Sequence, residues 1–152
     1  EMYANIYNIS TVSTRFFNVY GPRQPWEGTY ATVIGIFERE YKINEPLPIT
    51  GNGEQRRDFT HVYDIANGMI CLSKGTHKGE IYNLGTGKNY SINELAAMFE
   101  HPTKYILKRQ GEAWITKADI VNTKKHGYQP NEDLKEFVKS FTNNLKNKND
   151  KK

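Results

Sequence analysis

Thr11-Val12-Ser13-Thr14-Arg15-Phe16-Phe17-Asn18-Val19-Tyr20-Gly21-Pro22 is the stretch on which the reading of the whole chain turns. From Thr11 to Val19 most residues are β-branched or aromatic, which predicts a strand. Gly21-Pro22 stops it, because proline has no amide to give a ladder. Upstream, residues 2–8 read as the end of a helix. Downstream, Tyr30, Val33, Ile34, Phe37 and Tyr41 recur at helical spacing between Thr29 and Tyr41. A strand between two helices points to an α/β domain.

The alternation continues outward. Pro46 and Pro48 bracket a short extended piece ending at Ile49-Thr50, and Gly51-Asn52-Gly53 predicts a tight turn. Asp58 to Val62 reads as a strand, and Asp64 as the N-cap of a helix carrying Ile65, Met69 and Leu72. Ile81 to Leu84 is a strand closed by Gly85-Thr86-Gly87. Ser91-Ile92-Asn93-Glu94 fits a capping box for a helix with Leu95, Ala96 and Phe99. Tyr105-Ile106-Leu107 reads as a short strand, and Thr116 as the cap of a short helix ending at Gly127. Leu134, Phe137, Val138, Phe141 and Leu145 form one face of a last helix. The series predicts one domain over residues 1–145 and a disordered basic tail over 146–152. The opening helix has no capping residue before it, as though the chain were entered mid-element.

Composition narrows the function classes. In 152 residues, ten Tyr and seven Phe argue against a disordered chain. No apolar run approaches the length of a membrane span, so no membrane partner is expected. The net charge of +4 owes much to Lys146, Lys148, Lys151 and Lys152. No Arg or aromatic residue is interleaved with them, which speaks against a nucleic-acid arm. Residues 1–5 lack the basic and apolar stretches of a signal peptide. The single cysteine, Cys71, forms no disulfide within the chain and predicts a reducing, cytoplasmic setting. His77, His101 and His126 lie far apart, so no metal site is expected, and His61 is read as a core histidine.

Three segments together resemble the NAD-dependent nucleotide-sugar epimerase/dehydratase family, the extended short-chain dehydrogenases/reductases that include the UDP-glucose 4-epimerases. The first is Arg15 to Gln24. The second is Pro46 to Gly53, running on to Arg56-Arg57-Asp58-Phe59-Thr60-His61-Val62-Tyr63-Asp64. The third is Tyr82 to Gly87, followed by Arg109-Gln110-Gly111-Glu112. The family's glycine-rich NAD loop and its Tyr-x-x-x-Lys pair have no counterpart here. Gly85-Thr86-Gly87 lacks the third glycine and the helix that would follow it. The resemblance implies the carboxy-terminal substrate-binding part of such an enzyme, joined to the last strands of an NAD-binding Rossmann fold, with the amino-terminal Rossmann portion missing.

The same resemblance implies roles for particular residues. A nucleotide-sugar needs cations for its diphosphate, an apolar slot for its base and partners for its hydroxyls. On pattern alone Arg57 and Arg109 read rather as surface arginines paired to carboxylates; the resemblance reverses this, because both match the family's phosphate contacts. Asn18 matches a contact to the sugar-diphosphate, although it also suits a turn before Gly21-Pro22. Val33 opens the helix that covers the nucleotide, Ile49 lies on the segment lining the base, and Glu112 matches an acidic residue that binds ribose. Phe16 and Phe17 fall where the family's strand passes the nicotinamide, though core packing suits at least one of them. Arg56 has no such match and reads as surface.

The implied function is nucleotide-sugar binding, UDP-sugars favoured, within an NAD-dependent 4-epimerase that acts as a homodimer. A 4,6-dehydratase or decarboxylase of the same family is the alternative, and a freestanding nucleotide-sugar-binding module is the rival of another class. By itself the chain is expected to bind no NAD and to catalyse nothing, because none of its residues matches the catalytic pair.

Overall fold

A computed structural model describes residues 1–149. Its elements run α1 (Met2–Tyr7), β1 (Thr11–Phe16), β2 (Val19–Tyr20), α2 (Val33–Lys42), β3 (Leu47–Thr50), β4 (Arg56–Arg57), β5 (Thr60–His61) and α3 (Val62–Ser73). They continue through β6 (Lys78–Leu84), β7 (Tyr90–Ser91), α4 (Ile92–Met98), β8 (Thr103–Ile106), α5 (Val121–Lys124) and α6 (Leu134–Asn149). Strands and helices alternate, as the sequence pattern predicts. β1 pairs with β6, β2 with β5 and β3 with β8, all parallel, while β4 and β7 pair antiparallel. The parallel partners lie far apart in sequence, as crossover connections require.

Several local expectations are corrected. The strand that starts at Thr11 stops at Phe16, because Asn18 turns into the left-handed region at φ 24. Asn tolerates that conformation better than most side chains. The kink hands the chain from β6 to a new partner, β5. α2 begins at Val33, four residues after Thr29, where the Thr32 hydroxyl accepts from the Gly35 amide at 3.0 Å. Asp64 does not cap α3; His61 does, with Nδ1 accepting from the Tyr63 amide at 3.3 Å. The Asp64 carboxylate instead accepts from the amides of Asn131 and Glu132 at 2.9 and 3.1 Å. Thr116 caps nothing, since its hydroxyl is engaged elsewhere and α5 starts at Val121. α6 continues to Asn149, so residues 146–149 of the expected tail are helical. The rest of that tail, 150–152, lies outside the described residues. The capping box forms as read, with Glu94 donating to the Ser91 hydroxyl at 3.0 Å and Ser91 to the Glu94 carboxylate at 2.7 Å.

Two apolar cores result. The larger joins Tyr20, Phe37, Leu47, Ile49, Leu95, Phe99 and Val138 beneath α2, β3, α4 and α6. His61 is buried beside it, edge-on to Tyr20 and Tyr63. The smaller joins Ile65, Leu72, Leu84, Ala118, Ile120 and Tyr128. Burying each large apolar side chain contributes about 1.5–3 kcal/mol. Gly68 lets α3 lie close on β6: a Cβ there would come within 2.6 Å of Leu84 and 3.0 Å of Tyr128. α1 buries none of its residues, and Met2, Tyr3, Ile6 and Tyr7 are all exposed.

Candidate functional site

A cavity of about 330 Å³ opens beside β2, α2, β3 and β4. β4 sets its polar side. This strand is held by β7 on one edge and by the chain from Trp114 to Thr116 on the other. The Arg56 amide donates to Trp114 O at 2.8 Å, and the Thr116 amide donates to Arg56 O at 3.0 Å. That stitching brings the loop carrying Arg109 and Glu112 alongside Arg57. Arg57 is buried to 9% exposure; its Nη1 donates to Arg56 O at 2.9 Å and its Nη2 to Glu112 Oε1 at 3.0 Å. Arg56, read as surface, is half-buried and donates to Asn89 and Glu94.

Asp58 fixes the strand from beneath. It is fully buried, and its carboxylate accepts from the amides of Thr86 and Gly87 at 2.9 Å and of Ala118 at 3.0 Å. The Thr86 hydroxyl donates to it as well, at 2.7 Å. One carboxylate thus ties β4 to two distant segments. The Thr86 and Gly87 amides point at Asp58, so the Gly85-Thr86-Gly87 turn presents no phosphate cradle. Asn18 joins the same network: its carbonyl accepts from Thr60 at 3.3 Å and its Oδ1 from the Thr116 hydroxyl at 3.1 Å.

The opposite wall is apolar. In β3 the side chains alternate, with Leu47 and Ile49 packed in the core and Pro48 and Thr50 facing the cavity. Ile49, at 1% exposure, is therefore a core residue, and its neighbours occupy the lining it was expected to provide. Val33 lines the cavity from the start of α2. Tyr20 lines it from β2; burial, and then the charge of Asp64, push its hydroxyl pKa far above the ordinary value.

Of the expected residues, Asn18, Val33, Arg57, Arg109 and Glu112 thus line one cavity although they come from distant segments. Phe16 and Phe17 do not. Phe16 is 50% exposed at the end of β1, and Phe17 packs against the smaller core. Sequence reasoning passed over Asp58, Thr116 and the buried Gln55, whose amide donates to Thr50 O at 2.9 Å. Asp58 stands inside the Arg56–Asp64 segment, directly after Arg57. Apart from Thr60, the partners of its carboxylate lie 28 to 60 residues away, and no local pattern announces them. Chemically, the cavity offers two guanidinium groups and a carboxylate beside an apolar wall, which suits an anion joined to a flat apolar group and hydroxyls. Among the described residues, no three His, Cys, Asp or Glu side chains gather as a metal site would need.

Known proteins share this arrangement of elements. The family model described as NAD dependent epimerase/dehydratase family matches residues 1–85. A Methanocaldococcus jannaschii protein provisionally named a UDP-glucose 4-epimerase is 37% identical over 155 residues, covering 98% of this chain and 50% of that protein. The solved UDP-N-acetylglucosamine 4-epimerase of Methanobrevibacter ruminantium, in complex with UDP-N-acetylmuramic acid, superposes with a TM-score of 0.83 at 33% identity. That match covers 94% of this chain and 49% of the other. The UDP-glucuronic acid 4-epimerase of Bacillus cereus, in complex with UDP-glucuronic acid and NAD, superposes with a TM-score of 0.82 at 26% identity, over 96% and 48% of the two chains. The chain spans about half the length of the relatives it matches.

Proposed function

The chain belongs to the NAD dependent epimerase/dehydratase family, and on that premise we propose that it is the nucleotide-sugar-binding part of a UDP-sugar 4-epimerase. The observation that carries the reading is the cavity itself. Arg57, Arg109, Asn18 and Glu112 converge there from widely separated stretches of sequence, opposite Val33 and Pro48. Two guanidinium groups suit a diphosphate, because each forms a planar fork matched to paired phosphate oxygens. The apolar wall suits a base, and the carboxylate suits sugar hydroxyls. The relatives' ligands are UDP-sugars, which favours uridine as the nucleoside.

NAD is the cofactor of this reading, and the residues present fit only part of it. Half-exposed Phe16 offers a flat apolar surface at the end of β1. The Thr86 and Gly87 amides are bonded to Asp58, so that turn offers no cradle for the pyrophosphate. When bound, NAD supplies reversible hydride transfer. The part played by this chain is to hold and orient the sugar-nucleotide, and placement alone is worth much of a catalytic barrier. Residues outside this chain would hold most of the cofactor.

Calorimetric titration of the 152-residue chain tests the proposal. UDP-glucose should bind saturably and NAD should not. Saturable NAD binding, or no binding of UDP-glucose, would overturn it.

A further inference from the structure

We infer that Glu112 is a specificity gate. Through its ion pair with Arg57 it makes the site discriminate against simple phosphate anions and in favour of diphosphates that also carry hydroxyl donors. The inference rests on the nucleotide-sugar reading of the cavity and adds to it how free phosphates are turned away.

The argument starts from the charge inventory. Arg57, Arg109 and Glu112 are the charged residues lining the cavity. Glu112 Oε1 accepts from Arg57 Nη2 at 3.0 Å, and the two side chains are only 11% and 24% exposed. Water screens this pair less than it would a surface pair. Arg57 Nη1 donates to Arg56 O and Nη2 to Glu112 Oε1, so an anion drawn to this guanidinium arrives beside the Glu112 carboxylate and competes with it for Nη2. Among the described residues Arg109 makes no ion pair.

An anion that captures Arg57 Nη2 displaces the Glu112 carboxylate. That carboxylate then stands half-buried beside a second negative charge, with its donor lost. Inorganic phosphate and pyrophosphate offer nothing in return. A ligand carrying hydroxyls next to its diphosphate does, because each O–H can donate to the freed carboxylate. The pair therefore penalises every phosphate ligand, and only a ligand with suitably placed hydroxyls recovers the loss. Discrimination of this kind comes from a built-in repulsion as much as from attraction. The loop carries Gly111 at φ 73, a conformation open to glycine, between the two charged residues.

The test uses inorganic pyrophosphate and UDP as probes on the wild-type chain, E112Q, R57Q and the double variant, with folding checked by circular dichroism. E112Q keeps the shape of the side chain and removes its charge. It should bind pyrophosphate about fivefold more tightly or better. UDP should gain less or lose affinity, so the UDP-to-pyrophosphate affinity ratio falls. In the R57Q background the gain should disappear. Unchanged or weaker pyrophosphate binding by E112Q overturns the gate. So does a gain that survives in R57Q, because the effect would then be the cavity's general charge. If wild type binds UDP while E112Q shows no gain, the gate alone fails. If no protein binds either ligand, the nucleotide-sugar reading fails with it.

Discussion

Beside the cavity, Arg57 and Glu112 are largely buried and bonded to each other; on α1 and at the end of β1, apolar side chains stand in water. Arg57 and Asp58 are satisfied by atoms from segments as distant as Glu112 and Ala118. Ile6 is 64% exposed and Phe16 50%, with Met2, Tyr7, Ile9 and Ile81 also exposed. A fold stabilised by burial does not gain from such side chains in water. The cavity is assembled within this chain, whereas on α1 and at the end of β1 apolar side chains are left without cover among the described residues.

Substitution should separate the two regions by a wide margin. Phe37 is fully buried in the larger core, and F37A should cost about 3–5 kcal/mol in urea unfolding. I6S should change stability by about 0.5 kcal/mol or less, and with F16S should reduce self-association in sedimentation. Comparable losses for F37A and I6S would mean that α1 is held as firmly as the core. D58A comes next. It strands amides that are otherwise bonded, at about 2–4 kcal/mol in the same assay.

Ligand affinity sharpens the contrast further. R57A or R109A should weaken UDP binding by about ten- to a hundredfold, since hydrogen bonds to charged groups are worth roughly 1.5–3 kcal/mol. R57K should recover part of this, because lysine keeps the charge and loses the fork. I6S should leave UDP affinity unchanged.

A smaller effect compares the two cores. Tyr20 serves the larger and Tyr128 the smaller, and burial raises both hydroxyl pKa values far above the ordinary one. The unfolded chain ionises these groups from about pH 10, while the folded chain keeps them protonated. Stability is therefore full below pH 10 and falls as pH rises beyond it, by up to about 1.4 kcal/mol per pH unit for each tyrosine. Y20F and Y128F should each remove one tyrosine's share, half of the combined slope. A slope lost wholly to one variant would show that the other core admits water.

The order and type of the elements were legible because helical and strand periodicities are local. So was the capping box at Ser91 and Glu94, whose partners sit three residues apart. The resemblance also singles out Asn18, Arg57, Arg109 and Glu112, and the fold brings all four to the lining of one cavity. The misses share a cause. Asp64 looks like a cap until Asn131 and Glu132 arrive to claim it. Whether Ile49 or its neighbours Pro48 and Thr50 face the cavity depends on how β3 pairs with β8 and packs beneath α2, and one residue of parity reverses the answer. Asp58 is held mainly by Thr86, Gly87 and Ala118, which lie outside any local window. Each miss is a long-range contact overruling a plausible local one.

The central claim is that the cavity, and not the α1 and β1 face, takes the nucleotide. Amide chemical-shift mapping of the isotope-labelled chain during a UDP titration tests it most directly. The account predicts the largest shifts at Asn18, Val33, Arg57, Arg109 and Glu112, with Met2 to Tyr7 unmoved. Largest shifts along α1 and β1, or none at Arg57 and Arg109, would contradict it.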